Sequence, residues 1–265
     1  MFMGIGVGIG FAQLSLDGLI AGIFSGGNQG AWYSVSRAIS TPWYQDSVAT
    51  TPVTAVEQSI GSARDRSGNS NHAAQPSAAS RPIYKKDASG CSSIALDGVD
   101  DSLSSATGGG GTAGFFFCCA VKPANTAAGQ YHLWSDQNGA SGYVVVRDAA
   151  RFIFYAASGT AFTPTPASSD VAAGAIALIT AWDDGVNLNL QINSGPVTQI
   201  ARPIVAAGTA GFSMGKSNVS TVNLPAVNLF AGQIYEAVYV RNSGLSAVQR
   251  LQIQESAAAS AGIVL

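Results

Sequence analysis

The sequence has few charged residues, and they form no block of one sign. Charged residues make up 11% of the 265 residues, whereas soluble domains average about 25%. Thirteen Lys and Arg stand against fifteen Asp and Glu, which gives a formal net charge of -2. Nucleic acids and anionic membranes are bound mainly through clustered basic residues, so this composition argues against both as partners. Sparse charge suits a protein that works inside an assembly.

Cysteine and histidine are also scarce. Cys91, Cys118 and Cys119 are an odd number in a long chain, and adjacent residues of a strand point to opposite faces. We therefore expect buried cysteines and no disulfide framework. His72 and His132 lie far apart, without another His or Cys at ligand spacing, which argues against a zinc site.

Glutamate occurs only three times, which bears on catalysis. Glycoside hydrolysis needs two carboxyl groups flanking the scissile bond, but Glu57, Glu236 and Glu255 lie in three separate parts of the chain. GFSMG resembles a nucleophile elbow around Ser213, yet no histidine follows it. GGGTAG (109–114) precedes a strand-like run instead of a helix, so we expect a loop there. The sequence predicts that the protein is not an enzyme.

The first 30 residues are apolar and rich in glycine. No Lys or Arg occurs before Arg37, so a secretory signal is not indicated. Gln13, Ser15, Asp17 and several glycines interrupt the stretch, so we expect no membrane helix.

Strict alternation in residues 4–11 is typical of a strand. Glycines would leave one of its faces bare, so the strand needs a partner to supply neighbours. We interpret residues 1–30 as an extended arm that docks onto a partner by strand addition, through Ile5, Val7, Ile9 and Phe11.

The rest of the chain, residues 31–265, is predicted to form one β domain. Residues 31–90 contain spaced prolines and should be extended and rich in loops. After Ser92, short apolar runs alternate with turn signals, which is typical of an all-β sandwich. Ser246 and Gln249 form a capping-box pattern that predicts a helix within residues 245–265.

One hairpin is predicted in detail. The Asp184–Gly185 turn joins AIALITAW to VNLNLQIN. Period-2 alternation then predicts an inward set, Val186, Leu188, Leu190 and Ile192, and an outward amide set, Asn187, Asn189, Gln191 and Asn193.

Four blocks in order resemble a known family. They are DRSGNSNHA (65–73), ALDGVDDSL (95–103), TAWDDGVNLNLQINSG (180–195) and GQIYEAVYVRNSGLSAVQRLQIQ (232–254). Together they resemble the concanavalin A-like, laminin-G-like jelly roll of bacteriophage virion proteins. The resemblance implies an all-β, antiparallel two-sheet jelly-roll sandwich with an extended N-terminal arm and a short C-terminal helix. It implies a structural role or carbohydrate binding, and no catalytic site.

Two functions follow from this resemblance. The first is a virion structural protein of the tail, baseplate or capsid surface, assembled in the host cytoplasm as a homo-oligomer and attached to other virion proteins through residues 1–30. The alternative is a virion-borne adhesin that binds host-surface polysaccharide. A glycan-degrading enzyme is a distant third.

The loop HLWSDQNGASGY offers a candidate glycan site. A sugar is bound by an aromatic face and planar polar groups, which Trp134, Asp136, Gln137 and Asn138 provide. Trp134 equally fits a core position at the end of a strand. The outward amide set is a second candidate, and it equally fits a solvated or subunit-facing sheet.

We expect no cofactor, with Ca²⁺ as the one ion the sequence offers ligands for. Asp97, Asp100 and Asp101 supply the oxygen ligands that Ca²⁺ prefers, as do Asp183 and Asp184. Both sets also match ordinary turn chemistry.

Overall fold

A computed structural model describes residues 16–35, 43–108, 114–125, 127–136, 141–158, 161–203, 211–216, 228–241 and 244–265. In chain order the elements are α1 (Leu16–Ser25), β1 (Gln29–Ser34), β2 (Ser62–Ala63), β3 (Ala73–Ala74), a 3-10 turn (Ala78–Ser80), β4 (Ile83–Lys86), β5 (Ser92–Asp97), β6 (Leu103–Ser105), β7 (Phe115–Pro123), β8 (Gln130–Ser135), β9 (Ser141–Asp148), β10 (Arg151–Ser158), β11 (Ala161–Pro164), β12 (Ala177–Asp183), β13 (Asn187–Ile192), β14 (Thr198–Ala201), β15 (Phe212–Met214), β16 (Asn228–Leu229), β17 (Ala231–Arg241) and α2 (Ala247–Ser260).

The strands form two sheets that pack face to face. The first sheet has the order β14-β13-β12-β7-β17-β5-β4, with β1 also paired to β17. The second has the order β11-β10-β9-β8-β15-β6-β3-β2, with β16 paired to β8. The described strands pair antiparallel except β16 with β8. The predicted two-sheet jelly-roll sandwich is confirmed.

Aromatic rings pack against one another in the core of the sandwich. Phe115 stacks on Tyr143 and Phe154, with ring centroids 4.6 and 5.2 Å apart. Trp134 stacks on Phe212 at 4.5 Å. These rings come from both sheets, so their burial holds the two layers together.

A layer of two helices covers the outer face of the first sheet. Ile20 and Phe24 of α1 and Ile253 of α2 are buried in one cluster with side chains of β7 and β17. Helix α2 begins at the predicted cap, where Ser246 Oγ accepts from Gln249 N and the Gln249 side chain accepts from Ser246 N. No helix in the described part of the chain is long and apolar enough to cross a membrane.

The extended arm predicted for residues 1–30 is helical at Leu16–Ser25. Ile20, Ile23 and Phe24 have helical spacing and are buried against the first sheet, so tertiary packing overrides the glycines around them. Residues 29 and 30 already belong to β1, which pairs with β17. The docking residues Ile5, Val7, Ile9 and Phe11 lie outside the described residues, and their role stays a prediction.

The β12–β13 hairpin has the predicted turn, and β13 follows the predicted alternation. Leu188, Leu190 and Ile192 are buried in the core, as the alternation predicts. Val186 is 71% exposed, because it lies in the turn before β13 begins, and its predicted inward position is wrong. Cys118 and Cys119 are free, buried and on opposite faces of β7, as expected.

Candidate functional site

The predicted glycan loop does not present its tryptophan to solvent. Trp134 is 0% exposed and lies between the sheets, with its ring centroid 4.9 Å from Phe117 and 5.1 Å from Tyr239. A β-bulge between His132 and Trp134 brings both Leu133 and Trp134 into the core. Trp134 is therefore a core residue, and its predicted role as a sugar platform is wrong.

Asp136, the next member of that site, is also buried. Its carboxylate accepts hydrogen bonds from Tyr143 N at 2.6 Å and from Tyr239 Oη at 2.8 Å. Burial raises the pKa of Asp136 to about 6. The carboxylate ties β8, β9 and β17 together and is not open to a ligand. Gln137 and Asn138 lie outside the described residues.

The two candidate calcium sets are used as turn and packing groups. Asp183 is buried and accepts from Tyr143 Oη and Arg202 Nε, both at 2.5 Å. Asp184 Oδ1 accepts from the backbone N–H of Val186 and Asn187. This pair therefore closes the hairpin.

The carboxylates of the other candidate calcium set, Asp97, Asp100 and Asp101, lie close together. One oxygen of each of Asp97, Asp100 and Asp101 lies within 4.8 Å of the others. Asp97 Oδ1 accepts from Val99 N at 2.8 Å, and Asp101 Oδ2 accepts from Asp97 N at 3.0 Å, which is the pattern of a turn. Burial raises the pKa of Asp101 to about 6. Calcium binding at this turn stays a prediction.

The predicted outward amide set of β13 lies beside a half-buried tryptophan, although its member Asn189 is only 3% exposed and its side-chain amide donates to protein groups. Pairing across the strands places Trp182, Asn189 and Gln199 in one row on the outer face of the first sheet. Thr180 and Gln191 form the next row. Helix α2 packs against β12 and borders these rows. The hairpin register thus builds a surface with one aromatic ring and several planar amides.

A groove runs between this surface and α2. Its volume is about 250 Å³. We call it the α2 groove and define it by its lining residues Thr180, Trp182, Gln191, Val197, Ala247, Arg250 and Gln254. Trp182 is half-buried, so part of its indole faces the groove.

Amide hydrogen bonds hold the floor of the groove in place. Gln254 Nε2 donates to Thr180 Oγ1 at 3.0 Å and to Gln191 Oε1 at 3.1 Å. Gln191 Nε2 donates to Gly195 O at 2.9 Å. Because both groups of the Gln191 amide are engaged, its plane is fixed between the strand and the helix.

Arg250 lies over the ring of Trp182. Its guanidinium carbon is 5.6 Å from the ring centroid, within the range of a cation–π contact. Nη1 of Arg250 donates to Leu245 O at 2.8 Å, which holds the side chain at the start of α2. The groove therefore combines an indole, amides and one guanidinium.

Another cleft has weaker ligand-binding chemistry. It has a volume of about 430 Å³ at the β9–β10 turn. Its lining residues Arg151 and Asp170 pair with each other at 2.7 Å. No aromatic ring lines this cleft among the described residues.

The sequence pattern predicts the amide face of β13, but Trp182 and Arg250 were not predicted to belong to the site. Trp182 lies two residues after Thr180, so both side chains point to the same face of the sheet. The hairpin pairs Trp182 with Asn189 of the outward amide set, so the Asp184–Gly185 turn indicates that Trp182 faces outward. Arg250 comes from a separate helix, and no local pattern places that helix over β12.

No protein-family model matches the chain, and no curated protein matches it. Domain 4 of an extracellular arabinanase from Geobacillus stearothermophilus, in complex with arabinotriose, is similar in structure, with a TM-score of 0.53 and 13% identity over 87% of this chain and 98% of that one. An arabinofuranosidase complexed with arabinofuranosyl-alpha-1,2-xylobiose has a TM-score of 0.61 and 13% identity over 91% of this chain. The binding domain of botulinum neurotoxin DC in complex with SialylT has a TM-score of 0.53 and 10% identity over 75% of this chain.

The chain spans 65% of the length of the arabinofuranosidase and 48% of that of the toxin binding domain. At these identities the likeness shows the fold alone. The chain has the all-β jelly-roll fold that these structures share.

Proposed function

We propose that the protein is a carbohydrate-binding module and that the α2 groove holds the glycan. Structures of the same fold carry arabinotriose, an arabinofuranosyl xylobiose and SialylT. Their identities of 10–13% transfer no residue to this chain. The proposal therefore depends on the chemistry of the groove itself.

The observation that carries the proposal is the half-buried Trp182 beside fixed amides. A sugar has an apolar C–H face that packs on an aromatic ring and hydroxyl groups that need planar donors and acceptors. Trp182 offers the ring, and the Gln191 and Gln254 amides lie beside it in a held geometry. Fixed binding groups lose little conformational entropy when a ligand arrives, which favours affinity.

The dimensions of the groove suit one sugar unit of a longer chain. Its volume of about 250 Å³ is just below the roughly 300–1,000 Å³ of sites for drug-sized ligands. Exposed Gln199 continues the polar row toward β14, at the edge of the sheet. A polysaccharide crossing this edge meets further hydrogen-bonding groups beyond the groove.

Binding without cleavage agrees with the placement of the acidic residues. No carboxylate lines the α2 groove among the described residues. Glu236 is fully buried and accepts from Trp32 Nε1 and Ser34 Oγ, and Glu57 pairs with Lys85. Glycoside hydrolysis requires two carboxyl groups at the scissile bond, so we propose a binding role and not an enzymatic one.

The test is calorimetric titration of the full chain with arabino-, xylo- and galacto-oligosaccharides. Trp182→Leu keeps an apolar side chain in the groove but removes the aromatic face, so we expect binding to weaken roughly tenfold or more. Trp182→Phe keeps an aromatic face and should retain most of the affinity. Equal binding by both variants would overturn the assignment of the groove.

A virion structural role is the second candidate function. It is favoured by the alternating apolar pattern of residues 4–11, which needs a partner strand. Under this proposal the protein is a homo-oligomeric component of a bacteriophage particle. Because α1 (Leu16–Ser25) packs on the sandwich through Ile20 and Phe24, the informative truncation removes only residues 1–15. Particle incorporation should then be lost while the thermal unfolding midpoint is unchanged, and normal incorporation would refute the docking role.

A further inference from the structure

The α2 groove carries a positive charge that no acidic residue in its lining offsets. Arg250 is its charged member, and the other lining residues in the described part of the chain are neutral. We infer that the groove selects glycans that bear a carboxylate, of the hexuronic acid class. This inference rests on the proposed function and names the substrate class of the same site.

The guanidinium of Arg250 is held in place and remains available to a ligand. The guanidinium lies over the Trp182 ring, and among its nitrogens Nη1 donates a hydrogen bond to Leu245 O. The structure places no further acceptor against the other N–H groups among the described residues, and the side chain is partly exposed. A planar guanidinium with free donors matches the two oxygens of a carboxylate.

The oxygens of Asp184, an acidic residue that interacts with this charge, are engaged elsewhere. Asp184 interacts electrostatically with Arg250, but its oxygens accept from Val186 N, Asn187 N and Asn189 Nδ2. Burial alone would raise the pKa of Asp184, but these hydrogen bonds, with a smaller effect of Arg250, lower it. Among the ion pairs of the described residues, none joins Asp184 to Arg250. Arg250 therefore keeps its charge for a ligand.

The contacts of the groove fit the two ends of a uronic acid residue. A carboxylate that binds Arg250 brings the sugar ring next to Trp182, since the guanidinium lies over that indole. On the other side, Gln254 donates through Nε2 to protein groups. Its Oε1 is left to accept a hydrogen bond from a sugar hydroxyl.

The experiment compares each acidic oligosaccharide with its carboxyl-reduced counterpart. Trimers of galacturonic, glucuronic and mannuronic acid, and the neutral trimers made from them by reduction, are titrated into the full chain. We expect at least one acidic trimer to bind roughly tenfold more tightly than its reduced form, with a difference that shrinks as salt is added.

Two variants assign the difference to Arg250. Arg250→Gln should abolish the preference for the acidic trimer. Arg151→Gln removes the same charge from the separate cleft at the β9–β10 turn and should leave the preference intact. Equal binding of acidic and reduced trimers, or no binding of any acidic trimer, would overturn the inference. If neutral arabino-oligosaccharides nevertheless bind in a Trp182-dependent manner, the proposed glycan-binding function is upheld. If they do not bind either, both the proposed function and the inferred selectivity for acidic glycans are wrong.

Discussion

His132 makes a sharp prediction about the response of the fold to acid. Its side chain lies on β8, opposite Val146 of β9, and is 0% exposed. Neither ring nitrogen has a hydrogen-bond partner. Burial lowers the pKa of His132 from 6.5 to about 4. The folded protein therefore holds this imidazole neutral in a range where the unfolded chain protonates it.

The sign and size of the change in folding stability follow from the linkage between His132 protonation and folding. A histidine with a depressed folded-state pKa gives its full stability above the unfolded value of 6.5, and this stability is lost as the pH falls toward 4. A shift of this size corresponds to roughly 3 kcal/mol, at about 1.4 kcal/mol for each pKa unit. Such a loss is a large part of the 5–15 kcal/mol by which domains are typically stable, on the order of one third.

The assay is urea unfolding of the wild type and of His132→Leu between about pH 7.5 and about pH 4. Leucine cannot be protonated, so the variant should lack roughly 3 kcal/mol of the acid-induced destabilisation. It should also be more stable at neutral pH, because it removes two buried nitrogens without partners. Taking the difference between the two proteins cancels the titration of other groups. Identical pH dependence in wild type and variant would refute this reasoning.

Two further predictions concern buried carboxylates. The pKa of Asp136 is raised to about 6, so the folded state binds the Asp136 proton more tightly than the unfolded chain does. This group therefore stabilises the fold as the pH falls from about 6 to about 4. Asp136→Asn should remove that gain in stability in the same urea series, and an unchanged pH profile would contradict the prediction. Glu236→Ala leaves the donors of Trp32, Ser34 and Ser256 without their buried acceptor and should cost roughly 3 kcal/mol in thermal unfolding. Glu236→Gln keeps one acceptor oxygen and should cost less, and equal losses would show that the hydrogen bonds are not the cause.

The sandwich was predictable because its information is local. Turn residues such as Asp184–Gly185 and period-2 alternation set the β12–β13 hairpin, and the Ser246 cap set the start of α2. These features depend on neighbouring residues in the chain, so a single sequence carries them.

The features that were not predicted from the sequence depend on tertiary packing. When both faces of a strand are buried, the alternation of apolar residues does not identify the face that points into the core. On β8, the bulge between His132 and Trp134 also interrupts the two-residue period of the strand. Helix α1 is stabilised because Ile20 and Phe24 pack on the apolar outer face of the first sheet. Its glycine-rich sequence does not by itself predict a helix. The α2 groove needs Arg250 from one end of the chain and Trp182 from a distant hairpin, so only the fold brings them together.

Glycan binding in the α2 groove is most directly tested by the NMR signals of the indole N–H groups. The chain has four tryptophans, of which Trp32, Trp43 and Trp134 are buried and Trp182 alone is partly exposed. On titration with an oligosaccharide that binds, we expect a saturable shift of the Trp182 signal, with the other three nearly unchanged. Saturable binding that leaves the Trp182 signal in place would contradict it.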